Sequence, residues 1–557
     1  MIACFHIMLS IQLFITLVLC VLLLVSTLIF IHHLCLSKYW QSRNLPFIHP
    51  LPLLGNLKDL LFLKISFGEQ FLALYRHRAL SRAAVGGIYI LNKPALLLRE
   101  PELIQLLFIK NFHSFANRYE AASRNDRSGS LALALAKYPA WRASRLQLCK
   151  VFTSGQLRER RYPLMLQIAE DLENHLLKII SPANEGIIEV KELCSLFTTD
   201  LTSLVHFGVH AGGLKKGHSE VRKQTQKLLK VSFYKTLTFM VIFFLPHLTD
   251  ILRIRVFPQS YMKFIKEFVT AIRKQRRGFQ TSEKQDLLGN LLGLERSSYP
   301  FANHSDFITA QAAIFLLAGF ETSSSVLALT LYELAKQPEI QQRLRQEIND
   351  AFNEKPSLSF DQLQQLSYLQ QVVCEGLRMY PSAAFINREC TPLQRNKDFN
   401  FTTKHGQVYI PKGMPVYVSI LGLHRDEKYW PQPDFFNPER FSSKNICSVV
   451  PSSYLPFGLG PHGCIGSRLG LLQLKLGLAH ILKICRVEEC SKTMTQLKFD
   501  EKSFIIDQDA SLNLLMNRSI GRSNSSSTAN LKPAARFDRE FRQFLLGKEN
   551  TTGEYPI

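Results

Sequence analysis

The sequence predicts a mainly α-helical domain with small β-sheets, joined to an N-terminal transmembrane helix. An uncharged apolar stretch lies near the start of the chain, at residues 8–31. Helical periodicity runs through most of residues 57–300, with short strand-like pieces such as residues 85–90. Near the end, a glycine-rich segment at residues 457–466, which we call the cysteine loop, leads into an apolar helical pattern. These three features organise the chain around a site at that loop.

The bulk composition is typical of a globular chain with a large core. Of its 557 residues 46% are hydrophobic, and the formal net charge is +22. A basic excess suits nucleic acid, an anionic membrane or an acidic protein. Because the sequence has no concentrated basic tract and no nucleic-acid motif, we expect a membrane and a protein partner and no nucleic acid. The 11 cysteines include no C-x-x-C pair, so most are expected to be reduced.

Residues 8–31 predict a membrane-spanning helix. As a helix, these 24 residues would extend about 36 Å, enough for a tilted crossing of a bilayer. No Lys or Arg precedes them, whereas Lys38 and Arg43 follow closely. The positive-inside rule therefore predicts a single-pass signal anchor with the bulk of the chain in the cytosol.

The expected domains are an anchor at residues 1–36, a large folded domain at residues 37–518 and a polar tail at residues 519–557. The tail is expected to be disordered, with a basic amphipathic helix as the alternative. Spaced prolines predict an extended connector behind the anchor. The aromatic pair Tyr39 and Trp40 suits the membrane interface, and a simple polar linker is the alternative.

Cys464, in the cysteine loop, is the strongest candidate for a metal ligand. The pattern behind it places it near a helix N-terminus, whose partial positive charge favours the thiolate that binds iron. Two alternatives remain. One is a buried structural cysteine. The other is a dinucleotide-binding loop, because Gly458, Gly460 and Gly463 spell G-x-G-x-x-G, although Pro456 argues against the strand that should precede such a loop.

A long helical pattern at residues 307–334 contains polar residues in its interior. Gly319 is followed by Glu321 and Thr322, and hydroxyls that bond to the preceding turn bend a helix. We expect a groove that holds water or a small diatomic ligand. A mildly frustrated core helix is the alternative.

Two further pairs stand at helical spacing. Trp141 and Arg145 lie four apart and could hold one anionic group, although an exposed pair would look the same. Glu375 and Arg378 have apolar neighbours, which indicates a buried structural ion pair. Beyond them, residues 408–418 predict a β-hairpin.

Taken together, the chain resembles a cytochrome P-450, a haem-thiolate monooxygenase, and more closely the microsomal detoxification branch of insects. Five motifs in the family's order carry the resemblance: Trp141 with Arg145, Ala318-Gly319-Phe320-Glu321-Thr322-Ser323, Glu375 with Arg378, Pro438-Glu439-Arg440-Phe441 and the cysteine loop. Softer signals indicate the branch: Phe152-Thr153-Ser154-Gly155, Gln311 and Leu423-His424-Arg425-Asp426. The resemblance covers residues 39 to about 518 and implies the cytochrome P-450 fold with haem b as cofactor.

The resemblance implies a role for each matching residue. Cys464 is expected to be the axial thiolate of the haem iron. Thr322 is expected to hold dioxygen and relay protons, with Glu321 as the nearby acid. A buried ion-pair network is expected to fix the cysteine loop: Glu375, Arg378 and Arg440.

The haem is expected to bind further residues through its propionates: Trp141, Arg145 and Arg388. Within the cysteine loop, Phe457, Gly458 and Gly466 are expected to contact the haem. The family has an arginine two residues before the cysteine, where this chain has His462. A neutral imidazole offers one donor in place of a bidentate cation, so haem binding is expected to be weaker or pH-dependent. Gly376, inside the glutamate–arginine pair, is unusual for a helix interior.

The resemblance implies an endoplasmic-reticulum-anchored monooxygenase that takes electrons from NADPH–cytochrome P-450 reductase, with cytochrome b5 as a further candidate donor. Its expected substrates are lipophilic compounds, either xenobiotics or hormones and lipids. Apolar residues near matching positions are predicted to contact substrate: Phe115, Phe315, Ala318, Ala384 and Phe385. The alternatives are a degenerate member that only binds haem, a peroxide isomerase that needs no reductase and, from another class, a dinucleotide-binding dehydrogenase.

Overall fold

In a computed structural model, the chain forms one long N-terminal helix and a mainly helical domain with small sheets. The structure describes residues 2–180, 186–229, 232–277, 286–294, 305–355, 357–392, 398–403, 406–503, 505–507 and 511–518. The predicted fold class is confirmed, because helices dominate and the described strands form only small sheets. The tail predicted at residues 519–557 lies outside the described residues.

Helices account for most of the secondary structure in the described ranges. In chain order they are α1 Ile2–Gln41, α2 Lys58–Leu61, α3 Phe67–Arg76, α4 Pro101–Gln105, α5 Arg127–Leu131, α6 Ala140–Cys149, α7 Ser154–Gln156, α8 Tyr162–Ile179, α9 Val190–Phe207, α10 Gly213–Lys216, α11 Glu220–Leu229, α12 Phe233–Phe244, α13 Leu248–Ile251, α14 Gln259–Arg277, α15 Leu287–Leu294, α16 Ser305–Lys336, α17 Pro338–Glu354, α18 Phe360–Gln365, α19 Ser367–Met379, α20 Ile420–His424 and α21 Ser467–Ile484. Two short turns are π-helical, Leu106–Lys110 and Leu157–Arg161.

The strands build a larger sheet and two small ones. They are β1 Val85–Ile90, β2 Lys93–Leu98, β3 Ile187–Glu189, β4 Phe385–Glu389, β5 Phe399–Thr403, β6 Gly406–Ile410, β7 Pro415–Ser419, β8 Cys485–Glu488 and β9 Asn513–Arg518. The sheet orders are β1-β2-β7-β4, β3-β9-β8 and β5-β6. The hairpin predicted at residues 408–418 is wrong. β6 pairs with β5, whereas β7 lies between β2 and β4 in the larger sheet.

The N-terminal helix α1 is long and apolar enough to cross a membrane, and its most apolar stretch is not covered by the rest of the protein. It continues to Gln41, beyond the predicted end of the anchor. Trp40, near its end, is 1% exposed, and its indole Nε1 donates to the Ile88 carbonyl at 3.3 Å. A Cβ at Gly87 would lie 2.5 Å from the same indole. Trp40 therefore docks α1 onto β1, so its indole contacts protein and fixes the angle at which α1 leaves the domain.

The long helix α16 is the centre of the helical core, and it packs closely on α9 and α19. A Cβ at Gly319 would lie 2.7 Å from the Thr202 methyl carbon of α9. A Cβ at Gly376 of α19 would lie 2.3 Å from the Thr330 hydroxyl of α16. Both glycines, unexpected in helix interiors, are explained by the close approach of two helices.

A buried ion-pair network joins α19 to the segment that leads into the cysteine loop. Glu375 and Arg378 are fully buried, and the Glu375 carboxylate accepts from Arg378 Nε at 2.8 Å and Nη2 at 2.9 Å. The same carboxylate accepts from the Asn437 amide at 2.8 Å and from Arg440 Nε at 3.3 Å. The burial expected for this pair is confirmed, and one carboxylate holds two guanidinium groups.

His424 extends this network to the cysteine loop. Arg378 Nη1 donates to the His424 carbonyl at 2.7 Å, and the His424 ring lies between the Arg378 carbonyl and the Leu455 amide, at 3.0 and 2.7 Å. Because Leu455 N–H donates to Nε2, the proton of the neutral ring is on Nδ1. Burial and the nearby Arg378 lower the pKa of His424 to about 3.

We expect Glu375→Gln to destabilise the fold by about 3–5 kcal/mol, because it leaves two guanidinium groups without their counter-charge. Denaturant unfolding measures the change. The matched control is Glu439→Gln, which breaks an exposed ion pair with Arg343 and should cost at most about 1 kcal/mol. Equal losses in the two variants would contradict a central role for Glu375.

The neutral His424 predicts acid sensitivity. Its pKa is about 3 in the folded protein and about 6.5 when unfolded, so between these values the unfolded chain binds one more proton. Its contribution is fully present above pH 6.5 and is lost as pH falls towards 3. His424→Asn should therefore flatten the dependence of unfolding free energy on pH by up to about 1.4 kcal/mol per pH unit near pH 5. The exposed His218→Asn is the control, and a slope equal to wild type would overturn the assignment.

Candidate active site

The cysteine loop places Cys464 just before helix α21, which begins at Ser467. Gly458 and Gly460 have φ values of +72° and +67°, which other residues rarely adopt. The loop closes through the Cys464 amide, which donates to the Phe457 carbonyl at 2.8 Å. The predicted position of Cys464 near a helix N-terminus is confirmed.

The dinucleotide alternative lacks its structural context. A G-x-G-x-x-G fingerprint must follow a strand. Residues 449–459, all of them described, contain only turns and irregular backbone before Gly460. The glycines of the cysteine loop therefore shape a cysteine site and carry no dinucleotide-binding unit.

The Cys464 thiol faces the interior of the protein, yet it remains accessible. Its side chain has exposed surface, whereas its surroundings are dense enough that burial raises the pKa of the thiol above its ordinary value. The Gly466 amide, Arg145 and Arg118 lower the pKa, but less. The amide at the helix terminus therefore favours the thiolate as expected, but burial outweighs it. A bound cation would supply the missing stabilisation of the thiolate.

Helix α16 contributes a second accessible interior position. Ala318 is exposed, although it lies in the middle of a helix whose most apolar stretch is largely buried. Thr322, one turn later, donates its hydroxyl to the Ala318 carbonyl at 2.8 Å. The helix is continuous from Ser305 to Lys336. Any groove beside Thr322 therefore lies along an unbroken helix. This helix packs on α21, directly behind Cys464.

The carboxylate of Glu321 belongs to a partly buried charge network. Lys191, at the start of α9, donates to Glu321 Oε1 at 2.7 Å, to Asp507 at 3.1 Å and to Ser325. Burial alone would lower the pKa of Lys191, but the two carboxylates outweigh it and raise the pKa. Lys191 was not predicted, because its partners are 130 and 316 residues away in sequence.

The three residues predicted to bind propionates lie around the cysteine loop. Arg145 Nη2 donates to the Gly463 carbonyl at 2.7 Å, and Trp141 packs against the His462 ring at 3.8 Å between ring centroids. Arg388 is 2% exposed, and its Nε has no hydrogen-bond partner among the described residues. Burial lowers the pKa of Arg145, and burial with repulsion from a neighbouring arginine lowers that of Arg388 to about 9.

That neighbouring arginine is Arg118, which the sequence did not reveal. It acts electrostatically on Cys464, Arg145 and Arg388, and burial lowers its own pKa. Its Nε lies 3.7 Å from Glu120. Arg118 follows a short 3₁₀ turn in an irregular stretch, where no periodicity marks a residue as inward-facing.

His462 is buried with a free acceptor. Its Nε2 lies 2.7 Å from the Ala116 carbonyl, so Nε2 carries the proton and donates it there. Its Nδ1 has no partner among the described residues. Burial, with repulsion from Arg388, Arg118 and Arg145, holds the pKa of His462 well below its usual range. The single imidazole N–H that was expected to replace the family's arginine is therefore already bonded to the Ala116 carbonyl.

The charge balance of this region fits haem. Arg145 and Arg388 are largely buried, and neither forms an ion pair with a carboxylate among the described residues. Two guanidinium groups without carboxylate partners match the two propionates of haem b, and an accessible cysteine beside them matches the axial position. The donor set of the described residues thus suits the cofactor that the resemblance implies.

The predicted substrate contacts divide into two groups. Only Ala318 is accessible in the interior. The other four are buried in the core: Phe115 against Phe399, Phe315 against Phe152 and His206, Ala384 beside Gly68, and Phe385 stacked on Phe71. The structure therefore does not bring these five residues together around one open space.

Comparisons with known proteins agree with this geometry. The family model described as Cytochrome P450 matches residues 45–512. The chain is 44% identical to Probable cytochrome P450 6t3 of Drosophila melanogaster, over 86% of this chain and 95% of that protein. It is 38% identical to Probable cytochrome P450 6v1 of the same fly, over 83% and 92%. It is 34% identical to Cytochrome P450 3A29 of Sus scrofa, over 82% and 88%.

The match covers most of the chain and nearly all of these relatives, and it includes every motif named above. The cofactor of the family is haem, and its chemistry is that of an oxidoreductase. The chain therefore belongs to the cytochrome P450 family of haem-thiolate monooxygenases, within the branch of the insect P450 6 proteins.

Proposed function

We propose that this protein is a membrane-anchored monooxygenase in which Cys464 ligates the haem iron and a lipophilic xenobiotic is hydroxylated or epoxidised. One observation carries the proposal. An accessible cysteine lies in a loop that Arg145 contacts and whose His462 is close enough to Arg388 for repulsion, and neither arginine has a carboxylate partner among the described residues. Haem would complete both parts of the site, because it supplies a metal for the thiolate and two carboxylates for the arginines.

When bound, haem supplies the iron at which dioxygen is activated. The chain's own residues then hold the cofactor and move protons. Thr322 has a hydroxyl that can exchange its bond to the Ala318 carbonyl for one to a ligand in the same space. Glu321 is the nearby acid, and its carboxylate accepts a hydrogen bond from Lys191 at 2.7 Å. Glu375, Arg378 and Arg440 hold the loop and contact no reacting atom.

The anchor and the surface support a location on the endoplasmic reticulum membrane. Helix α1 provides the span. Phe233, Tyr234 and Leu237, on the first turns of α12, are also exposed, so α12 supplies a second apolar contact with lipid. The net charge of +22 suits an acidic electron donor, for which we propose NADPH–cytochrome P-450 reductase, with cytochrome b5 as a second donor.

Substitution of Thr322 tests the proposed oxygen chemistry. We expect Thr322→Ala, in microsomes that contain the reductase, to lower oxidation of a lipophilic test compound such as an alkoxycoumarin by about tenfold or more, because proton delivery by a positioned group typically contributes 10²–10⁴-fold. NADPH consumption should persist and be diverted into hydrogen peroxide.

The matched control is Ser323→Ala on the same helix, whose hydroxyl donates to Gln473 and should leave product yield close to wild type. Wild-type protein that binds haem without consuming NADPH would contradict the monooxygenase proposal and favour the degenerate haem binder. Turnover of an organic hydroperoxide without reductase, and no turnover with it, would favour the peroxide isomerase.

The His462 position predicts weak retention of haem. We expect His462→Arg to slow the transfer of haem to excess apomyoglobin by about tenfold, because one charge-assisted hydrogen bond contributes roughly 1.5–3 kcal/mol. The change in the Soret band measures the rate, and the exposed His113→Arg is the control. A transfer rate that stays the same or increases in His462→Arg would contradict this account.

A further inference from the structure

Outside the candidate active site, Arg161 is a buried cation that forms no hydrogen bond or ion pair through its guanidinium group with any described residue. It ends the π-helical turn Leu157–Arg161, in which Arg158, Glu159 and Arg160 are exposed. Arg161 is 2% exposed, and none of its three guanidinium nitrogens has a hydrogen-bond partner among the described residues. Turns of π-helix often coincide with functional sites, and an unpaired buried charge is costly.

His206, on α9, is the second unpartnered group of this cluster. It is 2% exposed, and both of its ring nitrogens lack partners in the described part of the chain. Its ring centroid and the Arg161 Cζ each lie 5.7 Å from the ring of Phe152. Burial, with repulsion from Arg161, lowers the pKa of His206 to about 3, and burial lowers that of Arg161 to about 10. At neutral pH the imidazole is uncharged and offers one N–H, while Arg161 stays cationic.

The described carboxylate that acts on Arg161 does not neutralise it. Asp286 acts on it only at a distance, because its oxygens accept from Arg276 Nη1 at 3.1 Å, Arg276 Nη2 at 2.5 Å and the Gly289 amide at 2.7 Å. Arg276 also donates to the Phe207 carbonyl at 2.9 Å, beside His206. Among the described residues of this region, Asp286 is the carboxylate that acts on both guanidinium groups, so one positive charge is not balanced by a described residue.

Helix α9 adds hydroxyl groups on the face that carries His206. Thr199, Ser203 and His206 are spaced i, i+4 and i+7, so they share one face. Both hydroxyls are buried, and neither has a hydrogen-bond partner within the described ranges. Buried polar groups normally have partners, so free donors on the α9 face that carries His206, together with the Arg161 charge across Phe152, indicate an anion site.

We propose that Arg161 and His206, with Ser203 one turn before His206, form an internal site for a monovalent inorganic anion of about the size of chloride. A single negative charge balances the cluster, whereas a second would leave it unbalanced in the opposite sense. The depth of burial excludes large organic anions. The site borders α16, because the ring of Phe315 on that helix stacks on the ring of Phe152 with 5.6 Å between centroids. An anion bound there would therefore stabilise the packing against α16.

Thermal unfolding of the detergent-purified, haem-loaded full chain tests the proposal. Unfolding is compared in sodium chloride and in sodium gluconate of equal ionic strength, since gluconate is too large for the site. We expect the midpoint to rise in chloride by about 2 °C for each tenfold increase in concentration above saturation. Arg161→Met should abolish this response. It should also raise the midpoint in gluconate above wild type, because the uncompensated charge is gone.

The matched control is Arg158→Met, in the same turn, which removes an exposed pair with Asp361 and should keep the chloride response. Equal wild-type midpoints in the two salts, or a chloride response that survives in Arg161→Met, would overturn the proposal. If Arg161→Met does not accumulate, wild-type crystals grown in bromide decide the question. An anomalous peak beside Arg161 supports the site, and its absence contradicts it.

Discussion

The buried carboxylate of Glu375 is the constraint on which the candidate active site depends. It accepts from Arg378 and from Arg440, and so it ties α19 to the segment before the cysteine loop. Through Arg378 the same network reaches His424, whose ring accepts a hydrogen bond from the Leu455 amide. A charged centre of this kind gains little over an apolar core in stability, but it tolerates only one arrangement. A single fixed arrangement of the segment before the cysteine loop is required if Cys464 is to bind a metal at a defined position.

Among the described residues, three clusters of buried arginines differ in how their charge is balanced. Around Glu375, the carboxylate and its backbone partners satisfy the arginines from within the chain. Around Cys464, Arg145 and Arg388 are not neutralised by the described residues, and haem propionates would complete them. Around Phe152, no described residue places a counter-charge in contact with Arg161. In a low-dielectric interior such an imbalance is costly, so it indicates a ligand more reliably than the shape of a cavity does.

Local patterns in the sequence predicted the parts of the site that are local. Cys464 before α21, Thr322 within α16 and the Glu375–Arg378 pair follow from glycine spacing and helical periodicity. Lys191, Arg118 and the burial of Trp40 were missed, because each depends on a contact with a segment far away in sequence. Strands β6 and β7 were misread for the same reason, since a tight turn does not decide which sheet each strand joins. The raised pKa of Cys464 shows that burial, which a sequence does not display, outweighs the helix terminus.

The central claim is that the Cys464 thiolate ligates the haem iron, and a carbon monoxide difference spectrum of the reduced protein tests it most directly. The full chain would be measured in microsomes beside Cys464→Ser and the exposed control Cys447→Ser. The account predicts the red-shifted Soret band of a thiolate-ligated haem in wild type and in Cys447→Ser, and its loss in Cys464→Ser. A red-shifted band that survives in Cys464→Ser, or folded wild-type protein that binds haem without the band, would contradict it.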